Sequence, residues 1–379
     1  MLPSKLPNTS ESIFTIMSKM AAHCNAINLS QGFPNFESDP YLIKLVTKAM
    51  QDGHNQYAPM PGDLKLREQI SEKIASLHHK KYQPATEITI TAGATQAIFT
   101  AIAATIRKGD EVLIFTPAYD CYEPSVTLFG GKVIPVQLHA PSYKPDWEQV
   151  RSKISTKTKM IVVNSPHNPS GMLFTESDML QLQNISEENN LLVLSDEVYE
   201  HIIFDGAIHQ SAARFDALSE RTFITASFGK TFHNTGWKLG YCVAPEILMT
   251  EFKKVHQYNV FSVNTPMQKA LASYLEQPSH YLQLADFYQQ KRDYFNSLLK
   301  DSLFKIIPSK GTYFQLLDFA EITDAHDVAF AETLTKEFGI ATIPTSVFNS
   351  EKQDFKQIRV CFAKKDETLL KAARILNKI

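Results

Sequence analysis

Short runs of β-branched and apolar residues alternate with helix-forming stretches through the middle of the chain, and this rhythm limits the possible folds more than any other feature. The helix-forming stretches include Thr95–Ile106 and Glu176–Glu188. The strand-like runs are Glu87–Thr91, Glu111–Phe115, Met160–Val163, Leu191–Leu194, Thr222–Ala226 and Leu239–Val243. Strands that alternate with helices in this way predict an α/β fold with a largely parallel sheet.

Length and a change of pattern predict two domains. The chain has 379 residues, and domains usually hold about 150 residues. After about residue 283 the pattern changes to a long helical stretch, Leu282–Asp301, short strands, Thr312–Leu317 and Ile358–Phe362, and an amphipathic terminal helix. The first 45 residues lack the α/β rhythm. We therefore expect a large domain over 46–282, a small α+β domain over 283–379, and an N-terminal segment over 1–45 that joins the small domain.

Charge, cysteine use and hydropathy exclude several classes of protein. The chain has 38 basic and 40 acidic residues, whereas a dedicated nucleic-acid binder usually has a basic excess. The four cysteines lie far apart and form no CxxC motif, so they indicate neither a zinc site nor a disulfide framework. No apolar signal segment begins the chain, and no apolar stretch reaches the ~20 residues that span a bilayer. We expect a cytoplasmic metabolic enzyme without a nucleic-acid or membrane partner.

Polar residues follow several of the predicted strands, where an open α/β sheet binds its ligands. Gly93 begins a helix after the first strand, and free N–H groups at a helix start suit a phosphate. The residues after the later strands are Asn164 and Asn168, Asp196 and Tyr199, and Ser227, Lys230 and Lys238. This set lacks the Cys/His cluster of a soft-metal site. It suits an organic phosphate cofactor with a ring nitrogen and a reactive carbonyl.

Pyridoxal 5'-phosphate fits this set of residues. The cofactor needs a lysine amine, an acidic partner for its pyridine nitrogen and a phosphate site. Lys230, Asp196 and the helix start at Gly93 can supply them. Asn168 and Tyr199 could bind the ring hydroxyl oxygen, and Tyr119 could stack on the ring. Apolar neighbours would lower the pKa of Lys230, and we expect these to be Phe228, Phe232 and Trp237.

Several motifs resemble those of the class I aminotransferases, which are pyridoxal-phosphate enzymes of fold type I. The stretch SFGKTFHNTGWKLGY at 227–241 resembles the lysine signature of the family, and NSPHNPSG at 164–171 and SDEVY at 195–199 resemble two more motifs. Other matches are NLSQGFPNF, QYAPMPGDLKLR, TAGATQA, PAYDCYEP and IRVCFAKK. The likeness covers nearly the whole chain and is strongest to the methionine and the kynurenine/glutamine subgroups. It implies a central seven-stranded, mostly parallel sheet flanked by helices.

The resemblance also implies a role for each matching residue. Lys230 would bond to the cofactor and move the substrate proton, while Asp196 and Tyr199 would bind the cofactor ring. The phosphate would be held by Ala94, Thr95, Ser227 and Lys238, although many relatives have Arg at the position of Lys238. Arg359 would bind the substrate α-carboxylate, with help from Gly32 and Asn168. Tyr57 would reach the phosphate of a neighbouring subunit, which implies a homodimer with shared active sites.

The predicted reaction moves an amino group from an L-amino acid to a 2-oxo acid. The candidate lining of the side-chain pocket is apolar or aromatic, with Phe14, Phe33 and Tyr119, which favours methionine or aromatic donors over aspartate. A carbon–sulfur β-lyase on the same scaffold would use the same residues and stays open as an alternative. A cofactor-responsive transcription regulator would need a DNA-binding domain before the motifs, which begin at residue 28. A non-catalytic homologue would not need the complete set of chemical groups.

Overall fold

The computed structural model describes residues 3–7 and 9–379. The helices are α1 Ile13–His23, α2 Pro40–Gln51, α3 Leu64–His78, α4 Ala94–Thr105, α5 Tyr122–Leu128, α6 Trp147–Lys153, α7 Glu176–Glu188, α8 Asp216–Ser219, α9 Phe228–Thr231, α10 Glu246–Asn259, α11 Thr265–Tyr274, α12 Ser279–Leu282, α13 Leu284–Leu298, α14 Asp327–Lys336 and α15 Asp366–Leu376. The strands are β1 Ile27–Asn28, β2 Ile88–Thr91, β3 Glu111–Thr116, β4 Lys132–Gln137, β5 Thr158–Asn164, β6 Leu192–Asp196, β7 Thr222–Ser227, β8 Gly240–Val243, β9 Lys305–Ile307, β10 Phe314–Asp318, β11 Ile340–Ala341, β12 Ile343–Pro344 and β13 Gln357–Cys361.

A seven-stranded sheet forms the centre of the molecule, in the order β2-β8-β7-β6-β5-β3-β4. Strands β4, β3, β5, β6 and β7 pair in parallel, and β8 runs antiparallel to both of its neighbours. The residues of β2 and β8 are all buried, as expected for a sheet that is covered on both faces. The predicted α/β class with a mostly parallel seven-stranded sheet is confirmed.

Strand β4 is the one strand of this sheet that sequence reasoning did not locate. It lies at the edge of the sheet and contains Pro135. Proline cannot donate to a strand ladder, so it is found at sheet edges and weakens a strand signal. Most of its residues are also only half-buried. The strand therefore lacks the continuous apolar run that marks the buried strands of the sheet.

The carboxyl ends of β5, β6 and β7 lie side by side and fix where the polar residues meet. Asn164 pairs with Asp196 across β5 and β6, and Asp196 pairs with Thr225 across β6 and β7. Strand β7 ends at Ser227, and α9 follows at once with Lys230. The alternation of strands and helices therefore places residues from three distant parts of the sequence at one edge of the sheet.

The C-terminal part of the chain forms a second, antiparallel sheet in the order β12-β13-β10-β9. The N-terminal segment joins this part, because β1 pairs in parallel with β11 through Ile27 and Ile340. The backbone N–H of Cys361, in β13, donates to the carbonyl of Leu29 at 2.8 Å. The segment after β1 is thereby held beside β13. Within the described residues, no helix has both the length and the apolar character needed to cross a bilayer.

Candidate active site

A cavity of about 310 Å³ opens at the carboxyl ends of the parallel strands. It brings together residues from the N-terminal segment, the large sheet and β13. The predicted site residues that line it are Phe14, Gly32, Ala94, Thr95, Tyr119, Asn168, Asp196, Tyr199, Ser227, Lys230, Lys238 and Arg359. Phe33, which was predicted to line the side-chain pocket, also borders it. The sequence prediction thus identified most of the polar groups of this cavity.

Lys230 lines the cavity and is half-buried. Its Nζ donates to the carbonyl of Gly32 at 3.0 Å, and it lies 5.8 Å and 5.7 Å from the ring centres of Tyr199 and Tyr313. Burial lowers the pKa of Lys230 to about 8, and the positive charge of Arg359 acts in the same direction. A lysine with such a pKa is partly neutral near neutral pH, so its amine can act as a nucleophile or a base.

The apolar neighbours expected for Lys230 do not line the cavity with it. Phe228 and Phe232 stack on each other at 6.2 Å within the core, and neither they nor Trp237 line the cavity. Residues two positions apart on a helical turn point to nearly opposite sides, so Lys230 faces the cavity while Phe228 and Phe232 face the core. The rings beside Lys230 come instead from Tyr199 and Tyr313, which lie far from it in sequence.

Asp196 is held at the end of β6 with 3% of its surface exposed. Its Oδ2 accepts the hydroxyl of Tyr122 at 2.6 Å, and its Oδ1 accepts the backbone N–H of Val198 at 3.3 Å. Burial raises the pKa of Asp196 to about 6, and the bond from Tyr122 opposes that rise. Asp196 is the one side-chain carboxylate among the lining residues.

The start of α4 forms one pole of the cavity. Gly93 precedes the helix at φ +81°, and as a glycine it supplies no side-chain cap to the first turn. The N–H groups of Ala94 and Thr95 belong to the turn that has no partner within a helix. Lys238 and Ser227 line the same region, and a Cβ on Gly93 would lie 3.5 Å from Lys238 Nζ. This pole combines helix-start N–H groups, a hydroxyl and an ammonium, which suits a phosphate.

Arg359 also lines the cavity, and only 1% of its surface is exposed. Its Nη1 donates to Asn168 Oδ1 at 2.8 Å and its Nη2 to the Ser30 carbonyl at 2.9 Å, while its Nε has no partner. Its guanidinium carbon lies 3.8 Å from the ring centre of Phe314 and 5.2 Å from that of Phe14. No carboxylate of the described residues lies within 4 Å of it. The charge of Arg359 acts on Asp120 only at longer range. A buried cation without a directly paired carboxylate is costly, so this arginine fits a carboxylate supplied by a ligand.

Hydrogen bonds connect the loop that contains Asn168 to the ends of β5 and β6 and to the loop after β3. The Asn168 N–H donates to Asn164 Oδ1 at 2.8 Å, and Asn164 Nδ2 donates to the Asp196 carbonyl at 2.9 Å. The buried His167 ring contacts Ser170 Oγ at 2.7 Å and the Pro117 carbonyl at 3.0 Å. Burial lowers the pKa of His167 to about 4, so the ring is neutral and serves as a structural link. The position of Asn168 is therefore set by hydrogen bonds and not by packing alone.

Tyr57 is the predicted site residue that the structure does not bring to the cavity. Its surface is 82% exposed, and its ring meets Phe261 edge-on at 5.5 Å. This position agrees with a residue that would act on another subunit. Sequence reasoning also missed Tyr122, Tyr313 and Phe314, which contact the polar groups of the site. Nothing in the sequence distinguishes these three from ordinary core aromatics, although Tyr122 lies within the PAYDCYEP motif.

Comparison with known proteins agrees with this geometry. Residues 25–376 match the family model described as aminotransferase class I and II. The chain is 46% identical to a methionine aminotransferase of Escherichia coli over 99% of this chain and 98% of that protein. It is 34% identical to a kynurenine–oxoglutarate transaminase of Dictyostelium discoideum, over 100% of this chain and 96% of that protein.

Solved structures share the fold along the whole chain. A crystal structure of an Escherichia coli methionine aminotransferase superposes with a TM-score of 0.98 at 46% identity, and covers 100% of both chains. The N-succinyldiaminopimelate aminotransferase of Mycobacterium tuberculosis superposes with a TM-score of 0.96 at 33% identity, again over 100% of both chains. These proteins share the transfer of an amino group and differ in the substrates that their names give.

Proposed function

The chain belongs to the class I and II aminotransferases, and on that premise we propose that it works with pyridoxal 5'-phosphate and takes methionine or another apolar or aromatic L-amino acid as amino donor. One observation carries the proposal. A single cavity presents the amine of Lys230, the carboxylate of Asp196 and the guanidinium of Arg359, which has no carboxylate of the described residues within 4 Å.

The residues of the cavity fit the cofactor. The pole at the start of α4, with Ser227 and Lys238, would hold the phosphate. Asp196 would face the pyridine nitrogen, and Asn168 and Tyr199 would bind the ring hydroxyl. Tyr119 would lie against the ring. When bound, the cofactor supplies an aldehyde that bonds to an amine and a ring that withdraws electrons from the α-carbon of the substrate.

Arg359 and Asn168 would orient the substrate. The planar guanidinium can donate two parallel hydrogen bonds to a carboxylate, and the contact from Asn168 and the ring of Phe314 hold it in place. Ordering the α-carboxylate on Arg359 would hold the α-carbon inside the cavity that Lys230 also lines. Orientation of this kind supplies much of the rate gain of an enzyme.

Lys230 Nζ would move the proton of the α-carbon. The amine must be neutral to accept a proton, and its lowered pKa of about 8 makes that form accessible. The Gly32 carbonyl, which accepts from Nζ at 3.0 Å, gives the free amine a fixed resting position. The buried ring of Tyr199 lies beside the amine and limits the access of water to it.

The donor preference follows from the charge of the cavity lining. The positive lining residues are Lys230, Lys238 and Arg359, each of which already has a proposed role. No other cationic side chain lines the described cavity to meet the second carboxylate of a dicarboxylic substrate. Phe14, Phe33 and Ile98 add apolar surface, which favours a methionine-like or aromatic side chain.

Tyr57 supports a homodimer with shared active sites. It is exposed and lies outside the cavity of its own chain. A tyrosine that acts on the phosphate of a second copy would have this position. The proposal therefore includes a second subunit that completes each site.

The test is an absorbance spectrum of purified protein loaded with pyridoxal phosphate, before and after adding L-methionine without a 2-oxo acid. We expect the yellow band to disappear, with one equivalent of 2-oxo acid released for each site. The Lys230→Ala variant should bind cofactor without turning over. Retained turnover in that variant, or a wild-type protein that cannot be loaded with the cofactor, would refute the proposal. If the loaded protein reacts with phenylalanine or tyrosine but not with methionine, the preferred amino donor is aromatic and the methionine assignment is wrong.

A further inference from the structure

Tyr122 lies directly behind the cavity without lining it. It begins α5, and only 2% of its surface is exposed. Its ring belongs to an apolar cluster that includes Ile98 and Val126, and it meets the ring of Tyr119 edge-on at 5.9 Å. Tyr119 faces the cavity, whereas Tyr122 is fixed by packing on the far side of it.

The hydroxyl of Tyr122 has one partner among the described residues, the Oδ2 atom of Asp196 at 2.6 Å. A short O–H···O⁻ bond of this kind is stronger than a bond between neutral groups. Burial raises the pKa of Tyr122 far above its usual value, and the charge of Asp196 adds to that rise. The phenol therefore stays protonated, and it can only donate to the carboxylate.

Two effects on the protonation of Asp196 oppose each other, and the Tyr122 hydroxyl favours the charged form. Burial favours the neutral acid and raises the pKa of Asp196, while a ring nitrogen that must stay protonated needs the charged form. Among the groups that lower this pKa, the Tyr122 hydroxyl acts most strongly, ahead of the Val198 N–H and Lys230. Meanwhile Oδ1 accepts a single long bond of 3.3 Å from Val198, so it keeps acceptor capacity for a ligand.

From this geometry we propose that Tyr122 is a positioning residue that holds the Asp196 carboxylate charged and in one orientation, with Oδ1 free to accept the ring N–H of the cofactor. The inference rests on the proposed function. Tyr122 itself touches neither cofactor nor substrate.

The first experiment compares Tyr122→Phe with the matched control Tyr143→Phe. Both changes remove one buried hydroxyl, and the Tyr143 hydroxyl bonds Gln357 outside the cavity lining. The cofactor dissociation constant of apoprotein is measured by titration with pyridoxal phosphate. We expect roughly ten- to a hundredfold weaker binding for Tyr122→Phe, the effect of losing a hydrogen bond to a charged group. Tyr143→Phe should bind within about threefold of wild type.

A double-mutant cycle separates positioning from a general structural effect. Asp196→Asn removes the charge that Tyr122 is inferred to hold, so adding Tyr122→Phe to it should change cofactor affinity little. If Tyr122→Phe costs the same affinity with Asp196 and with Asn at that position, the inference is wrong. Thermal unfolding of each apoprotein checks that the variants are folded.

The pH dependence of cofactor binding gives a second readout. Besides Tyr122, the titratable groups that act on Asp196 are Tyr119, Cys121, Glu197 and Lys230. Loss of the Tyr122 hydroxyl raises the pKa of Asp196, so its neutral form persists to higher pH. Cofactor affinity falls on the acid side as Asp196 becomes protonated. The midpoint of that fall should therefore lie about one pH unit higher in Tyr122→Phe. An unshifted midpoint would contradict the inference.

The outcomes also separate this inference from the function on which it rests. A wild-type protein that binds no pyridoxal phosphate refutes the proposed function. A wild-type protein that binds it normally, with a Tyr122→Phe variant that binds equally well, refutes only the role of Tyr122.

Discussion

At the scale of single residues, Arg359 is the side chain that most clearly requires a ligand. It is buried, its guanidinium has no carboxylate partner among the described residues, and its Nε has no hydrogen-bond partner. A protein keeps such a charge at a cost to its stability. An arginine in a strand is often an ordinary ion-pair partner, so the residue type alone says little about function. A buried arginine that lacks a paired carboxylate is a stronger sign of a binding site.

We predict that Arg359→Met lowers activity without lowering stability. Loss of one partner of a buried charge pair costs about 2–5 kcal/mol, so kcat/KM should fall by roughly tens to thousands of fold. The melting temperature of the apoprotein should stay the same or rise, because an unpaired buried charge is removed and most of the side-chain volume remains. Steady-state kinetics and calorimetry measure the two effects.

The control is Arg292→Met. Arg292 is also buried, but it forms bidentate bonds to Asp205 at 2.7 Å and 2.8 Å outside the cavity. This variant should lose stability and keep kcat/KM within about threefold. Equal kinetic losses in the two variants would remove Arg359 from the substrate site.

The lowered pKa of Lys230 predicts how cofactor loading depends on pH. The neutral amine is the reactive form, and its fraction rises with pH up to the pKa. The rate of bonding to pyridoxal phosphate should therefore rise until about pH 8, by roughly tenfold per unit below that point, and then level off. Stopped-flow absorbance of the apoprotein measures this rate. A midpoint near 10.5, the ordinary lysine value, would show that burial does not act on this amine as inferred.

At the scale of elements, the close contact between β8 and the start of α4 shapes the phosphate pole. A Cβ on Gly240 would lie 2.5 Å from the Ala226 carbonyl oxygen and 2.9 Å from the Ala94 nitrogen. Only a glycine allows the strand and the helix start to approach this closely. The N–H groups of the first helical turn are thereby placed beside the end of β7.

We predict that Gly240→Ala weakens cofactor binding and lowers stability. The added methyl must push the start of α4 or the end of β7 aside, and such overpacking costs about 1–3 kcal/mol. Gly236→Ala is the control within the same motif, because a Cβ there would meet nothing within 4 Å. Cofactor titration and thermal unfolding of both variants test this. Similar behaviour of the two variants would mean that the contact does not shape the pole.

The sequence predicted some elements well and missed others for identifiable reasons. Helix α7 has the predicted bounds, Glu176–Glu188, because a capping box of Thr175 and Asp178 marks its start in the sequence. The long C-terminal helix was predicted as roughly Leu282–Asp301, and the structure has it as α13, Leu284–Leu298. Apolar periodicity locates a helix more reliably than it locates the residues at which the helix ends.

At the scale of the whole molecule, the N-terminal segment completes the cavity between the two sheets. The Lys364 Nζ donates to the Phe33 carbonyl at 2.8 Å, and the Arg359 Nη2 donates to that of Ser30. These contacts cross more than 300 residues of sequence. They place Gly32, whose carbonyl meets Lys230, against the end of the large sheet.

Shared active sites predict complementation between two inactive chains. A hybrid of a Lys230→Ala subunit and a Tyr57→Ala subunit has one site with both defects and one site with neither. Co-expressed chains should therefore form hybrids with about half of the wild-type activity per dimer, well above either parent. Activity is measured on hybrids purified with two different tags. If Tyr57 acted within its own chain, both sites of the hybrid would be defective and no recovery would occur.

The sequence by itself determined the fold class and most of the chemical groups of the site. Strand–helix alternation is a local signal, and polar residues at strand ends must meet at one edge of a parallel sheet. Only the tertiary structure decided that Arg359 has no carboxylate within salt-bridge distance, that Tyr199 and Tyr313 lie beside Lys230, and that the Tyr122 hydroxyl donates to Asp196. These features depend on contacts between segments far apart in the chain and on the depth of burial. The pattern of any single segment does not encode either of them.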